Sequence, residues 1–170
     1  SKALLEVWMP GTEGAAAIAE VLFGEQTPQG KLPMSFPYCV GQVPVHYNAY
    51  STGRPVTPEN AGERFHSRYI DIPNQPLYSF GYGLSYTDFE ISGITLDREE
   101  MKASETIHAS VTVKNTGDRE GTETLQLYIH DKAASVVRPV KELKGFQKVT
   151  LQPGEEKKVT FAITEEMLRF

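Results

Sequence analysis

The side chains able to carry chemistry in these 170 residues fall into a few groups. Three acidic doublets, Glu99-Glu100, Glu155-Glu156 and Glu165-Glu166, have the residue types of an acid/base pair. Neighbours on an extended chain point to opposite faces, and each doublet sits beside a turn signal or the chain end, so solvated surface charge is expected. His46, His66, His108 and His130 show no i, i+4 or clustered spacing. That spacing predicts isolated surface or packing roles rather than metal ligation. The single Cys39 has no internal disulfide partner and no basic neighbour nearby in sequence, and it reads as an inert packed thiol.

Residues 54–69 are the richest stretch. Arg54, Arg64, His66, Arg68 and Tyr69 combine hydrogen-bond donors with an aromatic face, on a loop, where binding groups concentrate. Arg54, Arg68 and Tyr69 are the candidate substrate contacts; the competing reading has Arg68 and Tyr69 only pinning the loop. The run Gly81-Tyr82-Gly83-Leu84-Ser85-Tyr86 starts like a dinucleotide loop but has Tyr86 where the last glycine belongs, and no helical pattern follows. Its serine is not in a nucleophile-elbow frame. A tight structural hinge is expected.

Three segments must position these groups. In residues 1–37, residues 3–8 read as a short buried strand, and Pro10-Gly11 breaks the chain with Thr12 as a possible N-cap. Ala15, Ile18, Ala19 and Leu22 then recur at helical spacing, and Gly24 stops the helix. Residues 31–36 read as extended again, giving a strand–helix–strand unit of the kind found in parallel sheets. Two strands cannot make such a sheet stable alone, so the remaining strands are expected from elsewhere. Residues 38–86 hold seven of the eight tyrosines, too aromatic for a disordered linker. They read as a long ordered connection, an uncommon and often functional feature.

From residue 87 the pattern turns β. Ile107, Ala109, Val111 and Val113 alternate, as do Leu125, Leu127 and Ile129, and later Val159, Phe161 and Ile163. Asn115-Thr116-Gly117-Asp118 and Gln152-Pro153-Gly154-Glu155 mark turns, the second of type II character. The expectation is a mostly β chain, an immunoglobulin or fibronectin III-like β-sandwich preceded by a partial α/β unit and the long loop. Its core is expected to hold Val111, Val113, Leu125, Leu127, Ile129, Phe146, Val159 and Phe161. About five strands are legible where seven are usual, so the sandwich reads as incomplete at its C-terminal end. Both chain ends read as cut, because natural termini are loose and polar.

Seventeen basic against twenty-two acidic residues give a net charge of −5, without the basic footprint of a nucleic-acid binder. The longest apolar stretch, residues 15–23, is too short to span a bilayer and contains Glu20.

The motifs themselves now point to a family. Residues 8–14 (Trp8-Met9-Pro10-Gly11-Thr12-Glu13-Gly14), 17–24 and 28–37 resemble the C-terminal part of the second domain of family 3 glycoside hydrolases. So do Gly41-Gln42-Val43-Pro44-Val45-His46-Tyr47-Asn48 and residues 76–86. Residues 111–121 and 138–146 resemble the fibronectin type III-like domain that follows, and the overall likeness is to bacterial β-glucosidases and β-xylosidases. The resemblance implies retaining hydrolysis of β-linked sugars by an aspartate nucleophile in an N-terminal (β/α)8 barrel. The acid/base carboxylate would come from a part of the second domain upstream of this chain. Neither family motif occurs here, so no catalytic residue, metal or cofactor is assigned. The implied partners are a carbohydrate substrate held by the barrel and the upstream domains of the same polypeptide, with self-association of the isolated chain; no nucleic acid and no membrane are expected. The alternatives are a free-standing carbohydrate-binding or adhesion sandwich, or a structural accessory domain. Residues 3–37 argue against them, because a free module would not carry half of a parallel sheet with exposed apolar edges.

Overall fold

The structure, a computed structural model, describes residues 2–169. Helix α1 spans Gly14–Leu22. Its alanine-rich sequence favours helix, since alanine loses no side-chain entropy there. Glu13, not Thr12, occupies the N-cap position, and no side chain caps the first turn. At the other end the Phe23 amide donates to the Ala19 carbonyl (2.9 Å) and the Gly24 amide to Val21 (3.1 Å). Gly24 takes φ +78°, a left-handed conformation that glycine adopts without a Cβ penalty, so the helix stops where its sequence signals.

The flanking strands of the expected α/β unit do not form. Residues 3–8 are exposed and hold no strand, and residues 31–36 make one isolated bridge, Phe36 to Tyr78. With no further strand in reach, neither segment has a ladder to join. The apolar helix face also lacks cover: Leu22 is exposed, and Gly14 is the only buried residue of α1.

The sandwich follows. Strands β1 (Phe89–Ile91) and β2 (Thr95–Leu96) both pair antiparallel with one side of β3 (Thr106–Asn115). On its other side β3 pairs with β6 (Glu156–Thr164) from Thr106↔Thr164 to Lys114↔Glu156. The second sheet is the pair β4 (Gly121–Ile129) and β5 (Glu142–Leu151). A short helix α2, Glu165–Leu168, ends the described chain. Among the described residues β6 pairs on one side only, as an edge strand.

Alternation puts Val113, Leu125, Val149, Leu151 and Val159 into one buried cluster, with Phe89, Val111 and Phe161 packed against it. Ala109 and Leu127 are buried too, and Ile129 is half-buried. Each fully buried aliphatic side chain of this kind stabilises by about 1.5–3 kcal/mol relative to exposure. Phe146 corrects the expected core: it is 64% exposed. It lies opposite Gln126, and cross-strand partners share a face, so both look away from Leu125 and Leu127.

Buried Asn115 closes the end of the sandwich. Its Oδ1 accepts from the Thr87 hydroxyl (2.7 Å) and the Gly117 amide (3.1 Å), while Nδ2 donates to the carbonyls of Arg119 (2.7 Å) and Leu151 (3.0 Å). The turn after β5 has Gly154 at φ +76° and a Glu155 amide to Gln152 carbonyl bond of 3.0 Å, as its Pro-Gly sequence predicts.

Candidate functional site: a loop clasped between helix and sandwich

Residues 38–86 hold no α-helix and no extended strand, yet they are ordered by side-chain clasps. The first is Gln42, 1% exposed, at the end of the single 3-10 turn Val40–Gln42. Its Oε1 accepts from the Tyr38 amide (2.9 Å). Its Nε2 faces three carbonyls of the returning chain, Pro73 (3.0 Å), Asn74 (3.4 Å) and Gln75 (3.0 Å). One amide therefore joins the two ends of the excursion formed by residues 43–72.

Within that excursion, residues 47–50 lie along the sandwich. The Val140 amide donates to the Ala49 carbonyl (2.9 Å), and Tyr47 stacks on Phe80 (4.2 Å between centroids) and meets Tyr128 edge-on (5.9 Å). Burial, with Tyr47 adding to it, raises the pKa of the Tyr128 phenol above its ordinary value. An open, mainly apolar cleft of about 360 Å³ runs beside this stack, lined by Met34, Val43, Pro44 and Phe80, with His46 and Asn48 at its polar edge.

The expected site residues then separate. The Ser67 amide donates to the Arg54 carbonyl (2.8 Å), which brings Arg54 beside residues 66–68 at the neck of a smaller loop. Arg68 is turned inward: Nη1 donates to the Ala61 carbonyl of the same loop. His66 reaches Pro55 O and Glu63 (3.3 Å each). Tyr69 donates its hydroxyl to the Gln42 carbonyl at 3.5 Å, and its amide donates to Asn74 Oδ1 (3.1 Å). Arg54 and Arg64 are exposed and make no side-chain hydrogen bond or ion pair among the described residues. Nearby, the Thr57 hydroxyl holds the Glu59 carboxyl below its ordinary pKa. Arg68 and Tyr69 brace the loop, whereas Arg54 and Arg64 present free guanidinium groups.

The remaining chemistry-bearing residues are dispersed. Cys39 is exposed, not packed. Glu165 pairs with Arg169 (2.8 Å), Glu155 caps the Gln152 amide (2.8 Å), and Glu99 and Glu100 are exposed. His108 Nδ1 lies 2.9 Å from Asp97, and His130 is exposed just past β4. Among the described residues no three His, Cys, Asp or Glu side chains are placed to hold a metal ion. Gly81-Tyr82-Gly83 is a junction: Gln126 donates to the Gly81 carbonyl (3.3 Å), and Lys31 donates to Gly83 O (3.0 Å) while pairing with Glu123 (2.8 Å). The Tyr86 hydroxyl reaches Val21 O (2.8 Å) and Arg119 reaches Gly24 O (3.3 Å), so helix, loop and sandwich are tied together.

Gln42 is what sequence reasoning missed. It stood only inside a motif string, and the sole local signal was an amide in the apolar setting Val40-Gly41-Gln42-Val43-Pro44.

Comparison with known proteins accounts for both halves. The profile described as the glycosyl hydrolase family 3 C-terminal domain matches residues 1–86, and that of the fibronectin type III-like domain matches residues 123–170. The periplasmic beta-glucosidase of Salmonella typhimurium is 55% identical over 99% of this chain and 22% of its own length. A putative beta-xylosidase of Formosa agariphila is 44% identical over 99% of this chain and 21% of its own. The crystal structure of a beta-glucosidase from Listeria innocua in complex with isofagomine superposes with TM-score 0.94 at 54% identity, covering 98% of this chain and 23% of that one. The chain thus spans about a fifth of the length of the relatives it matches. The two profile matches, an ordered aromatic loop and a two-sheet sandwich place this chain in glycosyl hydrolase family 3, as a C-terminal part of that fold.

Proposed function

We propose that the chain is the non-catalytic C-terminal portion of a retaining β-glycosidase of β-glucosidase type, acting on β-linked glucosides or oligosaccharides. The observation that carries this reading is the alignment of 99% of the chain with 22% of a beta-glucosidase at 55% identity. Retaining hydrolysis needs two carboxyl groups about 5–5.5 Å apart across the scissile bond. The cleft beside Tyr47 is lined by no Asp or Glu. The role of these residues is then to close the α/β domain, anchor the sandwich and present the loop of residues 54–69 toward the substrate-bearing part of the polypeptide, with Arg54 as its free donor.

The test compares the purified 170-residue chain with the full-length polypeptide on an aryl β-glucoside. Nitrophenol release by the full-length protein alone is expected. Turnover by the isolated chain overturns the proposal.

A further inference from the structure

We infer that Gln42 is a positioning residue: its amide is the neck that holds residues 43–72 in one conformation and so sets where Arg54 is presented. The inference rests on the reading that this loop faces substrate. The excursion is thirty residues long and holds no ladder, so its shape depends on where its ends are fixed. The Gln42 side chain makes contacts on both sides of the neck, to Tyr38 on the outgoing chain and to residues 73–75 on the return. The Tyr69 hydroxyl adds a second tie to the Gln42 carbonyl. Beyond this neck, Asn74 Nδ2 donates to Ser67 O (2.8 Å), and the Ser67 amide donates to Arg54 O (2.8 Å). The contacts form one chain from the buried amide to the backbone that carries the exposed guanidinium: Gln42, residues 73–75, Asn74, Ser67, Arg54.

Residues 47–50 are also held by the sandwich, but past them few apolar contacts would take over if this chain were cut, because Phe65 is 80% and Ile70 100% exposed. A primary amide is the group required, since the site offers one donor hydrogen on the near side and three acceptors on the far side. Glutamate keeps the shape but sets carboxylate oxygens against three carbonyls.

The experiment uses the full-length polypeptide with Gln42→Glu and Gln42→Ala, hydrogen exchange of residues 43–75, and steady-state kinetics on an aryl β-glucoside. Losing two or more net hydrogen bonds should speed exchange across residues 51–72, beyond the segment held by the sandwich, by about tenfold or more. KM should rise severalfold while kcat stays within about twofold, as for loss of uniform binding. Gln42→Asn, which keeps the amide, should recover part of the protection. Val159→Ala, a core truncation in the sheet opposite the one that carries Tyr128, controls for general destabilisation and should leave KM unchanged. Unchanged exchange in both Gln42→Glu and Gln42→Ala overturns the positioning role. Arg54→Ala tests the underlying reading separately: an unchanged KM there removes the loop from the substrate site, whatever Gln42 does to exchange.

Discussion

Asn115 offers a sharp test of how the sandwich end is held. The side chain is fully buried and makes four hydrogen bonds, two as acceptor and two as donor. Asn115→Ala leaves the Thr87 hydroxyl, the Gly117 amide and the carbonyls of Arg119 and Leu151 without that partner. At about 1 kcal/mol net per bond, and with some relaxation toward water, the cost is about 3–4 kcal/mol. Protection of the β3 and β5 amides that open with the sandwich should fall by about two to three powers of ten in the full-length polypeptide. Asn115→Asp separates hydrogen bonding from shape. Its ionised form places a carboxylate against two carbonyls, so the folded state favours the protonated form and raises the pKa above the unfolded value of about 3.9. With a raised folded pKa, the stability is present below the unfolded value and lost as pH rises through the folded one. The Asp variant should therefore be closest to the parent below about pH 4 and weakest at about pH 7. Exchange indistinguishable from the parent at pH 7 would refute the claim that both Nδ2 donors matter.

Leu127→Ala should destabilise the sandwich by about 2–5 kcal/mol because the side chain is buried, whereas Phe146→Ala on the outer face should cost well under that; equal losses in denaturant titrations would contradict the assigned register. Met9, Phe23, Val40 and Ile70 are 97%, 83%, 89% and 100% exposed, so the isolated chain should self-associate, and a clean monomer in concentrated light scattering would count against an uncovered face. The Asp97 carboxyl is held below its ordinary pKa first by the His108 amide and then by the His108 ring. Its stabilising effect is present above the unfolded value and lost as pH falls through the folded one, so the Asp97 side-chain carboxyl resonance should titrate with a midpoint below about 3.9; a midpoint at or above that value would contradict the contact with His108.

Local chemistry was legible wherever it depended on a few neighbouring residues. The period of two in residues 107–113 and 159–163 identified β3 and β6 and their inward faces. Gly24 marked the end of α1, and Pro153-Gly154 marked the turn between sheets. Each follows from φ preference or side-chain alternation, which the chain carries residue by residue. Phe146 shows where residue type misleads. It is three positions from Val149 in an unbroken register, so alternation read back from buried Val149 and Leu151 puts Phe146 on the outer face, opposite Gln126. The one break in that register lies beyond it, between Leu127 and Tyr128, where Lys144 is unpaired.

Residues 3–8 and 31–36 have extended sequences that remain without ladders, because a strand is completed by hydrogen-bonding partners rather than by its own residue types. The candidate site was decided the same way. Arg54, Arg68 and Tyr69 were visible as donors in a loop, but their spacing could not show that Arg68 turns back onto Ala61 while Arg54 stays free. Nor could it show that Gln42 reaches the carbonyls of residues 73–75, more than thirty positions away. Alternation and turn residues act over a few bonds and are written in the sequence, whereas a buried amide finds its acceptors only after the packed chain has brought them within 3 Å.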